Sequence, residues 1–255
     1  MGDVGDTVTP MAVPTLGVLG GMGPAATADF MAKLANRTPA ARDQDHIRTI
    51  VYSDPTTPDR SDAILGRGES PLAALEAGIE FLNQVGVDLI AIPCNSAHYW
   101  FDELQAASDV PIIHMVEAVN EQIDGDAPDV GTLGLLATAG TVASGIYHDV
   151  LSRLGREVVS LNGADQQNQV MGGIRAVKAG DMATAQQLLT EAIRALTTLG
   201  AQGVIYGCTD VSAALEIPPV GATVRAWDSA DALAVACVNR LLPLRSDAET
   251  ANVAG

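Results

Sequence analysis

The chain has 255 residues, 47% of them hydrophobic, which suffices for a full core in one large α/β domain or two smaller ones. A formal charge of -17, from 21 Asp and 10 Glu against 12 Arg and two Lys, argues against a nucleic-acid partner, because nothing offsets phosphate repulsion. Three cysteines without close spacing argue against a disulfide framework and for a reducing cytoplasm, and no apolar run reaches membrane-spanning length.

Residues 1–13 carry Asp3 and Asp6 but no Lys or Arg. They lack the charged start of a secretory signal and, like residues 246–255, have the composition of a tail. Leu16 to Leu19 reads as a buried strand, and Gly20-Gly-Met-Gly-Pro24 as the turn into a helix that ends near Arg37, with Pro24 suited to its first turn. Ile47 to Tyr52 predicts a second strand. The stretch from Ser53 to Gly68, rich in Asp, Pro, Thr and Arg, predicts a long loop of the kind that carries function. Ser70-Pro-Leu72 opens a helix whose apolar positions Leu72, Leu75, Ile79 and Leu82 keep helical spacing as far as Gly86.

The apolar run Asp88-Leu-Ile-Ala-Ile-Pro93 then delivers Cys94 at a strand end, followed by a helix over Trp100 to Ala107 and a strand over Pro111 to Met115. At Val130 the pattern begins again. Leu133-Gly-Leu-Leu136 repeats Leu16-Gly-Val-Leu19 at an offset of 117, and Cys208, after the run Gln202 to Gly207, repeats Cys94 at an offset of 114. Nearly one offset for two landmarks implies a duplicated α/β unit. Helices follow over Ser144 to Leu154, Gln167 to Lys178, Met182 to Leu199 and Ala230 to Leu242, and Cys237 lies inside the last. Strands alternating with helices imply parallel sheets. The expected organisation is a first unit over 15–115 carrying Cys94, a second over 116–229 carrying Cys208, and a C-terminal helix over 230–243 packing back on the first.

A thiol at the carboxyl end of a strand stands where open α/β sheets bind ligands. Two buried apolar thiols at strand ends would be the plain packing alternative, but packing alone does not require Asn95, Ser96, Thr209 and Asp210 beside them. No Cys-x-x-Cys or His-x-x-x-His pattern accompanies them, so no metal site is expected.

In this context the chain resembles the aspartate/glutamate racemase family, in particular its aspartate racemase branch. The resemblance rests on Leu19-Gly-Gly-Met-Gly-Pro-Ala-Ala-Thr27, Pro58-Asp-Arg60, Pro93-Cys-Asn-Ser-Ala-His98, Leu136-Ala-Thr-Ala-Gly-Thr141, Val177-Lys-Ala-Gly180 and Gly207-Cys-Thr209, six motifs in one order. It implies two similar domains, each a parallel sheet flanked by helices and related by a pseudo-twofold axis, with the active site in the cleft between them. It also implies a homodimer and catalysis without pyridoxal phosphate or any other cofactor. The resemblance makes Cys94 and Cys208 catalytic, and places Met22, Arg60, Asn95, Ser96, Thr138, Lys178, Thr209 and Asp210 around a small acidic amino acid. Two positions depart from the family pattern. Ser96 replaces a Thr and keeps the hydroxyl, while Asp210 replaces a Glu that is one methylene longer. His98 ends the first cysteine motif, where it caps or packs, and His46, His114 and His148 form no pattern.

The chemistry expected of such a site is proton exchange at an α-carbon. A thiol titrates near about 8.5 and an α-proton is far less acidic, so a thiolate removes it only where the developing charge is stabilised. One sulfur must be thiolate and the other thiol, each close to the α-carbon on its own side. The resemblance assigns Cys94 to the D enantiomer and Cys208 to the L enantiomer. Backbone N–H groups after each cysteine can bind an anion at a helix start, and Arg60 and Lys178 are the cations expected to hold a dianionic substrate. The expected activity is therefore racemisation of L-aspartate to D-aspartate. Its rivals are racemisation of glutamate or of several acidic amino acids, cis-trans isomerisation of an unsaturated diacid through a thiol adduct, and acidic-ligand binding without turnover.

Overall fold

Two parallel sheets of matching topology organise the chain. A computed structural model describes residues 13–215, 217 and 224–253. In the first sheet β1 (Thr15–Gly20) lies between β2 (Arg48–Ser53) and β3 (Leu89–Ala91). In the second, β4 (Thr132–Ala137) lies between β5 (Glu157–Ser160) and β6 (Gly203–Gly207), with β7 (Arg225–Asp228) beyond β6. Leu16 sits between Thr49 and Leu89, as Leu133 sits between Val158 and Gly203. The central strands are buried along nearly their whole length, which is why they read as continuous apolar runs rather than alternating ones.

The expected strand over Pro111 to Met115 is reduced to a single bridge between Ile90 and Ile112. It stands beside β3 as β7 stands beside β6. Pro111 has no N–H to donate to a ladder, and Met115 already opens a helix, α5 (Met115–Asp126), which the sequence reading did not anticipate.

Among the helices, α1 (Pro24–Arg37), α3 (Leu72–Gln84), α4 (Phe101–Ala107) and α10 (Met182–Thr198) lie where the sequence places them. The loop expected over Ser53 to Gly68 contains a short helix, α2 (Arg60–Ile64), whose N-cap Asp59 accepts the Asp62 N–H at 2.9 Å. The helix expected over Ser144 to Leu154 is α7 (Ile146–Arg153), and a short helix that was not expected, α6 (Ala139–Ser144), precedes it across Gly145 with φ of 72°. Upstream of Lys178 the chain forms α8 (Gly163–Asp165), a π turn (Gln166–Val170) and α9 (Met171–Lys178). After β6 comes α11 (Thr209–Ala214), and the last helix, α12 (Ser229–Val253), continues through Pro243 beyond its expected end. Of the two expected tails, residues 1–12, 254 and 255 lie outside the described residues.

Two helices are exchanged between the sheets. Leu233, Ala234, Cys237 and Leu241 of α12 pack with Leu16 and Val18 of β1 and with Phe30 and Leu34 of α1, in the core of the first sheet. Conversely, Val116, Val119 and Ile123 of α5 pack with Leu133 and Leu135 of β4 and with Tyr147 of α7, in the core of the second. The two halves are thus laced together, and the carboxyl ends of β1, β3, β4 and β6 border a common cavity. Among the described residues no helix is long and apolar enough to cross a membrane.

Candidate active site

Both cysteines stand at equivalent junctions. Cys94 lies three residues beyond the end of β3 and caps a 3-10 turn (Asn95–Trp100), with its carbonyl accepting the Ala97 N–H at 3.2 Å. Cys208 follows β6 directly and caps α11, with its carbonyl accepting the Val211 N–H at 3.0 Å. Each backbone is extended, at φ -145° and -156°, so each side chain leaves the strand just as the chain turns into a helix. The first N–H groups after each cysteine have no intrahelical acceptor.

A cavity of about 500 Å³ lies between the two junctions. The first half contributes Met22, Arg60, Cys94, Asn95 and Ser96, and the second contributes Thr138, Lys178, Cys208, Thr209 and Asp210. All the residues expected from sequence therefore border one space. Ser61, Thr141, Met171 and Ile174 border it too, with the carboxylates Asp59 and Asp62. These were not singled out from sequence. Ser61 and Asp62 directly follow the Pro58-Asp-Arg60 motif and Thr141 closes its own, but Met171 and Ile174 carry no signal beyond helical spacing.

The glycine-rich turn reaches the cavity because it is folded tightly on itself. Gly21 has φ of 91°, and a Cβ there would lie 2.4 Å from the Asp54 nitrogen, so only glycine fits. Its N–H donates to the Thr27 hydroxyl at 2.9 Å, and that hydroxyl donates to the Gly23 carbonyl at 3.2 Å. Met22 is thereby held at the cavity wall.

Arg60 opens α2, and its Nη1 donates to the carbonyls of Thr57 at 2.9 Å and Pro58 at 2.7 Å. Its loop thus fixes the guanidinium in place, while Nε is buried without a partner. Lys178 ends α9 with its Nζ 3.9 Å from Asp210 Oδ2, and is largely exposed. The other lysine, Lys33, is structural: on α1 it pairs with Asp29 and with the buried Asp228, 3.1 Å away. Thr138 caps α6, accepts the Thr141 N–H at 3.2 Å and meets the Ser61 hydroxyl across the cleft at 3.1 Å.

The two thiols differ in their surroundings. Cys94 is buried, with Sγ 3.5 Å from the Ser96 hydroxyl. Cys208 keeps partial exposure, and its thiol points at Asp210 Oδ2 at 3.8 Å. Burial pushes the Cys208 thiol up to about 12, helped by the Asp210 charge and opposed by the N–H groups of Asp210 and Val211 and by Lys178. Burial also raises the Asp210 carboxyl, against the pull of Lys178 and the thiol. Cys237 lies in the core beneath α12, outside this site.

Some side chains turn away from the cavity. Asn95 directs its amide inward, with Oδ1 accepting from the Tyr147 hydroxyl at 2.5 Å and Nδ2 donating to Ser229 at 3.0 Å. His98 is buried beneath Cys94, with Nδ1 3.0 Å from the Cys94 carbonyl oxygen and Nε2 3.4 Å from that of Ile113. His114 packs against Phe101 and His98, and His148 meets the Ser160 hydroxyl at 3.1 Å. Among the described residues no group of three or more His, Cys, Asp or Glu is placed to hold a metal ion.

Comparison with known proteins gives this arrangement a context. The Asp/Glu/hydantoin racemase family matches residues 19–237. The broad-specificity amino-acid racemase RacX of Bacillus subtilis (strain 168) is 32% identical over 236 residues, 91% of this chain and 100% of that protein. Among solved structures, the aspartate racemase of Picrophilus torridus superposes with a TM-score of 0.78 at 31% identity, covering 89% of this chain and 94% of its own. A glutamate racemase of Bacillus anthracis shares the fold at a TM-score of 0.64 and 19% identity, over 91% of this chain and 82% of its own.

Proposed function

The chain belongs to the Asp/Glu/hydantoin racemase family and is an isomerase of the amino-acid racemase class, and on that premise we propose that it interconverts the enantiomers of an acidic amino acid, aspartate before glutamate. In this proposal Cys94 and Cys208 form the acid–base pair, without pyridoxal phosphate. The observation that carries it is the placement of both cysteines, at equivalent strand-to-helix junctions of the two halves, on one cavity.

The steps follow from that placement. The α-carboxylate lies against the backbone N–H groups of Asn95, Ser96 and Thr209, and Arg60 and Lys178 take the side-chain carboxylate. One sulfur, as thiolate, accepts the α-proton while the carbanion charge spreads into the bound α-carboxylate. The other, as thiol, returns a proton to the opposite face. The two sulfurs exchange ionisation states in each turnover. In the half-reaction in which Cys208 is the proton donor Cys94 is the base, and by the family assignment that half-reaction starts from the D enantiomer. We also propose a cytoplasmic homodimer, with the domain limits expected from sequence.

A second reading has its own support. The cavity is bordered by three carboxylates, Asp59, Asp62 and Asp210, against two cations, Arg60 and Lys178. A surplus of negative charge does not confine the substrate to dianions, and RacX has broad specificity.

The test is incubation with each enantiomer of aspartate, glutamate and a panel of neutral and basic amino acids in deuterated water, without pyridoxal phosphate. Optical rotation should decay, and deuterium should appear in the product before the recovered substrate, because the returning proton comes from the other thiol. Cys94→Ala and Cys208→Ala should each abolish racemisation. Absence of exchange and of rotation loss with every substrate would overturn the racemase proposal, and full activity in either variant would overturn the two-thiol mechanism.

A further inference from the structure

A directed chain of buried hydrogen bonds runs between the two thiol-bearing junctions. The Tyr147 hydroxyl donates to Asn95 Oδ1 at 2.5 Å, Asn95 Nδ2 donates to the Ser229 hydroxyl at 3.0 Å, and that hydroxyl donates to the Tyr206 carbonyl at 2.9 Å. Asn95 is the residue after Cys94, and Tyr206 lies two residues before Cys208 on β6. Tyr147 on α7 and Ser229 at the start of α12 complete the path. All four are buried, with exposures of 7% for Asn95, 1% for Tyr147 and Ser229 and 0% for Tyr206.

From this chain of contacts we infer that Tyr147, Asn95 and Ser229 are positioning residues that fix the spacing of the two sulfurs across the cleft. The inference rests on the two-thiol reading and assigns work to residues that do not touch the reacting atoms. Its physical basis is satisfaction and burial. Each group has its partner, and removing one strands another where water does not replace it. The path joins the first half to the second at both cysteines, so a change anywhere along it is felt as a change in distance between them. A two-base reaction is unusually sensitive to that quantity, since one α-carbon must lie within reach of both sulfurs.

The path also accounts for the sequence context. Packing alone would accept an apolar residue after Cys94, but a residue here must accept from a hydroxyl on one side and donate to a hydroxyl on the other. Asn does both, whereas an ionised Asp accepts only. The peptide that joins Cys94 to Asn95 is held as well, through the contact of His98 Nδ1 with the Cys94 carbonyl.

The test uses the full chain with Cys237→Ala, so that Cys94 and Cys208 are the only thiols. Tyr147→Phe and Ser229→Ala are compared with Val150→Ala, a buried truncation on α7 outside the path. The first readout is the cross-linking yield between Cys94 and Cys208 with bis-electrophiles of graded length, which needs no activity. The parent should peak at one length, the two path variants should give a broader or displaced profile, and Val150→Ala should keep the parental profile. The second readout is racemisation by enzyme with both cysteines intact. Tyr147→Phe and Ser229→Ala should lower kcat roughly tenfold with KM little changed, as expected for a buried partner left unsatisfied. A parental cross-linking profile in both path variants would overturn the inference, as would a kcat loss no larger than that of Val150→Ala. Failure of the two-thiol reading would show differently, as wild-type protein whose turnover survives loss of either cysteine.

Discussion

Gly140 of α6 faces Ser61 of α2 so closely that a Cβ on Gly140 would lie 2.5 Å from the Ser61 Cα and 2.6 Å from its Cβ and Oγ. The two helices belong to different halves, and both border the cavity. The contact is reinforced two residues away, where the Ser61 and Thr138 hydroxyls meet at 3.1 Å. One wall of the site is thus closed by the absence of a side chain.

Gly140→Ala should push α2 away, because the atom it meets is backbone and cannot rotate aside. Overpacking of this kind costs about 1–3 kcal/mol. With Arg60 on the displaced helix, KM should rise roughly tenfold, more than kcat falls. Steady-state kinetics on the preferred substrate checks this. An unchanged KM would show that α2 can retreat without moving the substrate site.

Arg60→Ala should reduce kcat/KM for an acidic substrate by about 10–100-fold, the value of a charge-assisted hydrogen bond. Lys178→Ala should act in the same direction but less, since its ammonium is largely exposed and pairs with Asp210. Arg60→Lys should not restore activity, because one ammonium cannot hold the Thr57 and Pro58 carbonyls and a substrate carboxylate in the directions a planar guanidinium does. Measured on a neutral amino acid, Arg60→Ala should cost little. Equal losses on acidic and neutral substrates would mean that the guanidinium does not hold the side-chain carboxylate.

The ionisation of Cys208 is open to direct measurement by alkylation in a chain carrying Cys94→Ser and Cys237→Ser. Burial first, then the Asp210 charge, pushes the thiol up to about 12. Alkylation follows the thiolate, so it should be slow near neutrality and climb steadily in alkali. Asp210→Asn removes a group that raises the thiol and should move the climb to lower pH. Lys178→Met removes one that lowers it and should move the climb higher. An unmoved profile in Asp210→Asn would sever the carboxylate from the thiol.

His98 and His114 are kept neutral in the fold by burial, with His114 brought down to about 3. Below the ordinary imidazole range of about 6.5 the unfolded chain binds protons that the folded chain refuses, so stability is lost as pH falls from there toward about 3. The melting temperature should decline over this window. His114→Phe, which removes a ring nitrogen buried without a partner, should decline less steeply. An identical slope would show that His114 does not govern the acid limb.

The duplicated unit was legible because each central strand is buried on both faces and so appears as an uninterrupted apolar run, and because both cysteines lie at the same point of the repeat. The cavity residues were legible through motifs whose spacing is local, such as Pro58-Asp-Arg60. The helix α5 was not, because its apolar positions are divided between the core of the first sheet, with Met115 and Ala118, and that of a sheet encoded later in the chain, with Val116, Val119 and Ile123. Nor were Met171 and Ile174, whose helical spacing serves core and cavity alike.

The information carried along the chain is therefore mostly local: which runs are buried, where each thiol leaves its strand, and which polar residues stand beside it. The return of α12 to the first sheet was expected, but it took the folded chain to show that α5 covers the second sheet, that Asn95 turns its amide inward to Tyr147 and Ser229, and that Cys208 shares Asp210 with Lys178. Propensity and periodicity act over a few residues. The direction of a side chain between two elements depends on segments more than a hundred positions away, as with Asn95 and Ser229.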